Sequence, residues 1–325
     1  MLKVKEPTNQ QSREPRKRSA DPPPHHQRPS LGRRVLMFPL TRLLIAAMLF
    51  AIIWVTTVIP SVGQSLISNI GSELVLALQG LTILVLLGMV IERRSPAEMG
   101  LGRRGLLRHT FLGFGIATAM LLLMIVVLKL GASLGVIVID ASPNYGASSD
   151  IYWHQLGAFG YPAAALVLTF LVAVAEEIFF RGILFRLLEE ALGSWLALAI
   201  SSLLFGMVHI INYGGDINLI SKLIGVTPQM AIGLPLAAAY ILTRKLWLPM
   251  GIHWGWDFLS RTYLQPPADG GLLWLLLVGF SFILAGVLLA LAVRQGQYTA
   301  ALAGCKARSL CTSSPTSLRK LLYKN

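Results

Sequence analysis

The sequence is organised around the decapeptide AVAEEIFFRG, residues 173–182, which follows an apolar run from Ala163. A charge at membrane depth costs roughly 2.5–3.5 kcal/mol on insertion scales, so Glu176 and Glu177 need a partner or a function. On a helix, Glu177 and Arg181 are i,i+4 neighbours in the favourable order and can form an ion pair. Glu176 points about 100° away from that pair, because a helix turns once per 3.6 residues. The spacing therefore predicts one structurally paired carboxylate and one that is available for chemistry.

The composition is that of a helical membrane protein. The chain has 325 residues, of which 54% are hydrophobic and only 13% are charged, unlike a soluble globular domain. Its apolar runs reach about 20 residues, enough to cross roughly 30 Å of hydrocarbon, and no alternating strand pattern indicates a barrel. The net charge of +13 does not indicate a nucleic-acid partner, because the basic residues cluster beside apolar runs without interleaved aromatic residues. We expect an all-α, polytopic bundle with the lipid bilayer as its partner.

The apolar runs predict about eight transmembrane helices. They lie near residues 37–60, 73–91, 110–133, 161–183, 194–213, 228–243, 247–260 and 271–293. The seventh run is short for a full crossing. Arginine and lysine concentrate on alternate connections, so the positive-inside rule predicts an even number of spans and two cytosolic termini.

Composition also predicts five segments along the chain. They are a disordered basic cytosolic tail at 1–34, N-terminal transmembrane helices at 35–159, a motif-bearing core at 160–260, a last transmembrane helix at 261–294, and a basic cytosolic tail at 295–325. Within them, 134–156 has the turn residues of an outside loop. The only two cysteines, Cys305 and Cys311, lie in the last polar segment and predict no disulfide framework.

Two further apolar segments contain ionisable groups. His209 ends the pentapeptide FGMVH, residues 205–209, and His253 begins HWGWD, residues 253–257. His253 and Asp257 are i,i+4 neighbours and project from one helix face. If these segments meet Glu176, the carboxylate can take a proton from water, the imidazoles can position that water, and a donor remains for an oxyanion. Two imidazoles and a carboxylate would also suit zinc with an open position.

Each piece also has a purely structural explanation. Glu177 and Arg181 can be a buried ion pair, His209 a hydrogen-bonded packing residue, and His253 one partner of a helix-face hydrogen bond. These explanations have to hold independently in three segments, so intramembrane ionisable groups favour a functional site. Spacing alone leaves proton-coupled transport as open as hydrolysis, although a transporter is expected to show symmetry-related repeats, and none is detectable in the sequence.

At these residues the chain resembles the CPBP family, the CAAX protease, bacteriocin-processing and Abi group of intramembrane metalloproteases. The family has three motifs, Glu-Glu-x-x-x-Arg, Phe-x-x-x-His and His-x-x-x-Asn/Asp, in that order on separate membrane helices. Residues 176–181, 205–209 and 253–257 match them in order. The resemblance covers about residues 160–260 and implies an all-α membrane fold with a protease core. It also implies endopeptidase activity on a membrane-associated peptide or protein.

The resemblance assigns a role to each motif residue. Glu176 would be the general base that activates water, assisted by His209. His253 and Asp257 would stabilise the oxyanion. The pair of Glu177 and Arg181 would hold the first helix in place. His209 and His253 are also candidate ligands of a zinc ion.

One residue departs from the prenyl-protease branch of the family. Asp257 stands where that branch has Asn, and an ionised Asp cannot donate a hydrogen bond to an oxyanion. It would instead orient His253 or favour a cation. This departure favours the bacterial branch, and hence a bacterial plasma membrane, over prenyl-protein processing. A non-catalytic membrane scaffold or bacteriocin-immunity protein that retains the motifs is the alternative function.

Overall fold

The computed structural model describes residues 94–136, 157–212, 218–263 and 271–296, with isolated residues between 38 and 89. Every regular element in these ranges is helical, which confirms the predicted all-α class for this part of the chain. The α-helices are α1 (Leu106–Ser133), α2 (Gly157–Glu177), α3 (Arg186–Leu192), α4 (Ser194–Met207), α5 (Leu219–Gly225), α6 (Thr227–Thr243), α7 (Trp247–Tyr263) and α8 (Gly271–Arg294). A π-helical segment, Ile178–Phe185, joins α2 to α3, and a 3-10 turn, Val208–Asn212, follows α4.

Four helical stretches among the described residues are long and apolar enough to cross a membrane. They are Ala97–Ser133, Phe159–Leu192, Leu219–Thr243 and Leu272–Arg294. The apolar stretch Ser194–Ile210 is shorter, and α7 has 17 residues. The predicted spans at 37–60 and 73–91 lie mostly outside the described residues, as do the two tails and the loop at 134–156. The count of about eight therefore stays a prediction.

Helix α6 lies at the centre of the bundle. Its residues Ala237, Ala238 and Ala239 are fully buried, and it packs against α4, α7 and α8. Large apolar side chains such as Leu122 on α1 and Phe282 on α8 point outward and are more than half exposed. Small residues therefore let neighbouring helices approach α6, and the bundle has an apolar outer surface, as expected for helices that face lipid.

Glycines bring α7 against α1. A Cβ atom on Gly251 would lie 2.0 Å from the carbonyl oxygen of Thr110, and one on Gly255 would lie 2.8 Å from that of Phe114. No side chain fits at those distances, so the two backbones touch as in the small-xxx-small packing of membrane helices. Because Gly251 and Gly255 flank His253, this contact fixes the helix that presents the third motif.

A second close crossing joins α4 to α6. A Cβ atom on Gly206 would lie 2.7 Å from the backbone nitrogen of Met230, and one on Gly233 would lie 2.8 Å from Cα of Ser202. Gly206 follows Phe205, which is 2% exposed. The crossing therefore holds the phenylalanine of the second motif in the bundle interior.

Ion pairs attach the end of α3 to other parts of the chain. Glu190 lies 2.8 Å from a guanidinium nitrogen of Arg42 and 2.6 Å from one of Arg94. Glu189 lies 2.6 Å from Arg244, in the turn between α6 and α7. Since α2, the π-helical segment and α3 are continuous, these pairs also fix the axial position of the helix that holds the first motif.

Candidate active site

Glu177 and Arg181 form a fully buried ion pair. The Oε1 atom of Glu177 lies 2.7 Å from Nη1 of Arg181, the pairing that the i,i+4 spacing predicts, and neither side chain is exposed. Nη2 of Arg181 donates a hydrogen bond to the carbonyl of Gly233 on α6 (3.1 Å), and the guanidinium lies 4.6 Å from the ring centroid of Phe205. Buried charges persist only when paired in this way. The pair thereby connects the first motif to α6 and to the second motif.

The helix changes from α to π geometry immediately after this acidic pair. Glu177 is the last residue of α2, and Arg181 lies in the π-helical segment Ile178–Phe185, all eight residues of which are buried. π-Helical turns are rare in proteins, and those that do occur are often found at functional sites. The sequence predicts one continuous helix here and does not reveal this change.

His253 lies among three carboxylates. Its Nδ1 is 2.9 Å from Oε1 of Glu177, which is the oxygen that Arg181 also contacts, so Nδ1 donates to an ionised carboxylate. Its Nε2 is 3.3 Å from Oδ2 of Asp257 and 3.9 Å from Oε2 of Glu176. A neutral ring would point a lone pair at both of these groups. The arrangement therefore favours a proton on Nε2 of His253, directed toward Asp257.

His209 reaches the same place from the turn after α4. Its Nδ1 lies 2.7 Å from the carbonyl oxygen of Phe205, which can only accept, so Nδ1 donates and a neutral ring keeps its lone pair at Nε2. The Phe205 ring centroid is 5.1 Å from that of His209 and 5.5 Å from that of His253. His209 is also near enough to Glu176 to interact with it electrostatically. The three motif segments therefore meet around Phe205.

The two glutamates of the first motif differ in exposure. The side chain of Glu177 is fully buried, whereas that of Glu176 is 20% exposed and that of Asp257 is 28% exposed. Oε2 of Glu176 is itself buried and, like Oε2 of Glu177, receives no hydrogen bond from the described residues. The two carboxylates therefore differ in the exposure of the side chain as a whole, and Glu176 is the one that water can approach.

Zinc ligation depends on which ring nitrogens are open. Nδ1 of His209 donates to the backbone and leaves Nε2 open, whereas both ring nitrogens of His253 face carboxylates. Across the described ranges, no three His, Cys, Asp or Glu side chains are arranged so that they could hold a metal ion. Catalytic zinc in proteins is typically held by three protein ligands. The assignment of His209 and His253 as zinc ligands therefore stays a prediction.

Comparison with known families agrees with this site. Residues 158–259 match the family model described as type II CAAX prenyl endopeptidase Rce1-like. The matched range contains all three motifs and confirms the resemblance to the CAAX protease family. Comparisons with curated proteins and with solved structures found no match. The matched segment and the four long apolar helices indicate an integral membrane protein with a protease-family core.

Proposed function

We propose that this protein is an intramembrane endopeptidase in which Glu176 activates a water molecule to attack a peptide bond. The observation that carries the proposal is that His209 and His253 lie against one phenylalanine ring, with Glu176 3.9 Å from His253, within a segment that matches a protease family. Ionisable groups placed together at membrane depth are otherwise too costly to keep. The fully buried ion pair of Glu177 and Arg181 stabilises this arrangement and leaves Glu176 without a salt bridge to Arg181.

The first step is the attack of water on the scissile carbonyl. Glu176 takes one proton from the water while the water oxygen bonds to the carbonyl carbon. His209 accepts a hydrogen bond from the second water hydrogen at Nε2, the nitrogen that its contact with the Phe205 carbonyl leaves with a lone pair. A positioned carboxylate base of this kind contributes typically 10²–10⁴-fold in rate.

The oxyanion then needs a donor, and His253 supplies it. With Nδ1 bonded to Glu177, the doubly protonated ring directs its Nε2 proton toward the exposed side of the site, where Glu176 and Asp257 lie. Donors fixed in place before the reaction stabilise the developing charge without reorganising. As the intermediate collapses, Glu176 returns its proton to the leaving nitrogen and the C–N bond breaks, which yields a new carboxylate and an amine.

Asp257 takes a different role from the one that the resemblance implies. An ionised Asp257 cannot donate to the oxyanion, but at 3.3 Å from Nε2 it favours the protonated form of His253. We therefore assign Asp257 to keeping the donor proton on His253. In this proposal the substrate is a membrane-associated peptide or protein of a bacterial plasma membrane, cut near the cytosolic face, with both termini of the enzyme cytosolic.

The proposal is tested by comparing the membrane proteomes of cells that express the wild type or Glu176→Gln. Peptide fragments present with the wild type are expected to vanish with Glu176→Gln at equal protein level. Glu190→Gln is the matched control, because it makes the same change on the same continuous helix and is expected to keep the fragments. A scaffold or immunity function predicts instead that Glu176→Gln and His209→Ala still complement a deletion. Identical fragments with and without Glu176 would overturn the protease proposal.

A further inference from the structure

Helices α1, α2 and α7 enclose an apolar cavity of about 300 Å³. Aromatic rings from each helix form its walls, namely Phe111 of α1, Phe170 of α2 and Trp254 of α7. The lining contains one hydroxyl group, and Thr110 donates it to the carbonyl of Leu106 in its own helix. The volume is at the lower end of the roughly 300–1,000 Å³ of ligand pockets. Since its lining offers almost no polar contact, the cavity suits a hydrocarbon chain.

The cavity opens on the outer surface of the bundle. Its lining residues Leu107, Phe111 and Val167 are 66%, 61% and 54% exposed. In a helix bundle that crosses a membrane, such side chains face the hydrocarbon region. Trp254 forms the inner wall, with its Nε1 donating to a carbonyl of α2 at 2.9 Å. A chain that enters from the bilayer would therefore pack against the residue next to His253.

A cluster of basic residues lies at one end of this cavity, and we call it the basic mouth. Arg103 and Arg104 precede α1 and Arg108 lies in its first turn, and all three side chains are exposed. Lys245 donates from Nζ to the carbonyl of Arg104, and Trp247, which lines the cavity, donates to a carbonyl of the same loop at 2.8 Å. These hydrogen bonds hold the turn between α6 and α7, and with it the positive charge of Lys245, beside the basic end of the cavity.

The charges of the basic mouth are not neutralised within the described part of the chain. The three arginines form no ion pair with a described acidic residue. Between residues 94 and 136 the only carboxylate is that of Glu98, which accepts hydrogen bonds from Ser95. Arg108 lies on α1 three residues before Phe111, so its charge and this part of the cavity wall share one helix face. An anion is therefore the complementary group at this end.

We propose that the cavity and the basic mouth bind one anionic phospholipid. Its acyl chain lies between α1 and α2 against Trp254, and its phosphate lies against Arg104 and Arg108. Arginine presents a planar fork of donors that matches phosphate geometry. Basic residues at a membrane surface attract anionic lipids and not zwitterionic ones. An isoprenoid chain without an anionic headgroup would leave the arginines unused, which is why a phospholipid is the assigned occupant.

The site is tested by native mass spectrometry of the full-length protein titrated with phosphatidylglycerol or phosphatidylcholine. The wild type is expected to retain one phosphatidylglycerol in preference to phosphatidylcholine. Replacing both Arg104→Gln and Arg108→Gln is expected to weaken that binding about thirtyfold, because each basic residue near the surface contributes. Arg294→Gln is the matched control. This arginine is also exposed at a helix end, but α8 contributes no residue to the cavity.

Two more variants separate the lipid site from its alternatives. Val167→Trp fills the lateral opening and is expected to abolish retention with the arginines intact, whereas Glu176→Gln is expected to bind lipid like the wild type. If Val167→Trp does not fold, the lipid preference of the double variant Arg104→Gln and Arg108→Gln is sufficient to test the proposal. Equal retention of both lipids, or an equal loss in Arg294→Gln, would overturn the proposal. Binding of a farnesylated peptide independently of Arg104 and Arg108, with no phosphatidylglycerol retained, would also overturn it.

Discussion

The dipeptide Glu-Glu occurs twice on one continuous helical stretch, with opposite outcomes. At Glu189 and Glu190 both carboxylates contact arginines, which come from three other parts of the chain. At Glu176 and Glu177 the described residues supply one guanidinium, that of Arg181, and it pairs with Glu177. The first position therefore has one more carboxylate than it has permanent cations. A glutamate inside the membrane is therefore not reactive merely because it is acidic. The reactive glutamate is the one that no described arginine neutralises.

The surroundings of the two positions explain this difference. The side chains of Glu189 and Glu190 are 17% and 18% exposed at the end of the helix, where arginines arrive from the loops. Glu177 is fully buried, and its second contact is His253 from α7. Arginines stabilise the fold at both positions, but only at the first does a histidine approach both carboxylates. Four substitutions, taken in order of expected effect, test whether the two positions differ in this way.

The largest effect on stability is expected from removing the single cation of the first position. Arg181→Met leaves Glu177 buried without its guanidinium, and breaking a buried pair costs about 3–5 kcal/mol. Unfolding of the purified protein in detergent, followed by heating, measures the loss. Arg244→Met is the control at the second position, where the arginine side chain is 33% exposed. Equal destabilisation by the two variants would remove the distinction between the positions.

Packing of α7 is expected to matter next, because it presents His253 to the first position. Gly251→Ala places a Cβ atom 2.0 Å from the carbonyl oxygen of Thr110, and such overpacking costs typically 1–3 kcal/mol. Gly279→Ala is the matched control, since a Cβ atom there meets nothing within 4 Å. Thermal unfolding and cleavage are measured together. If Gly251→Ala were as stable and active as Gly279→Ala, the glycine contact would not position His253.

A smaller effect is expected at the second acidic position. Glu190→Gln removes the charge that Arg42 and Arg94 contact but keeps an amide oxygen that can accept a hydrogen bond from the buried Arg42. It is expected to cost about 1 kcal/mol, the typical net contribution of one hydrogen bond. Cleavage is expected to stay unchanged, because Glu190 contacts no group of the active site. Thermal unfolding and a cleavage assay on the same preparation check both parts. A loss of cleavage without a loss of stability would contradict the structural role of this pair.

The smallest effect is expected from Asp257→Asn. The amide can donate a hydrogen bond where the carboxylate cannot, so cleavage should change by less than about tenfold, well below the roughly 10²–10³-fold cost of losing an oxyanion donor. Initial rates of wild type, Asp257→Asn and His253→Ala on one substrate give the comparison. A loss as large as that of His253→Ala would show that Asp257 itself acts on the substrate.

Much of this arrangement could be predicted from the sequence. The i,i+4 spacing of Glu177 and Arg181 fixed their pairing, because it depends only on local helix geometry. The helical class followed from the length and apolarity of the runs. Glu176, His209 and His253 were expected to meet, since isolated ionisable groups at membrane depth are costly.

Other features could not be read from local patterns. The contact of His253 with Glu177 joins residues 76 positions apart and depends on the close approach of α1 and α7 at Gly251. The π-helical segment after Glu177 lies within a stretch that the sequence predicts as one continuous helix. The pairing of Glu190 with Arg42 likewise depends on tertiary packing. Hydrophobic runs predict transmembrane helices from composition alone and do not give the length of each folded helix. The predicted count of eight is therefore larger than the four long apolar helices among the described residues.

The most direct test of the central claim is a cleavage assay of the purified protein in H₂¹⁸O. A substrate identified from the membrane proteome is incubated with wild type or with Glu176→Gln, and the new carboxyl terminus is weighed. Wild type is predicted to incorporate one ¹⁸O atom from solvent into the new carboxylate, and Glu176→Gln to form no product above background. Incorporation by Glu176→Gln at the wild-type rate would contradict the assignment of Glu176 as the base.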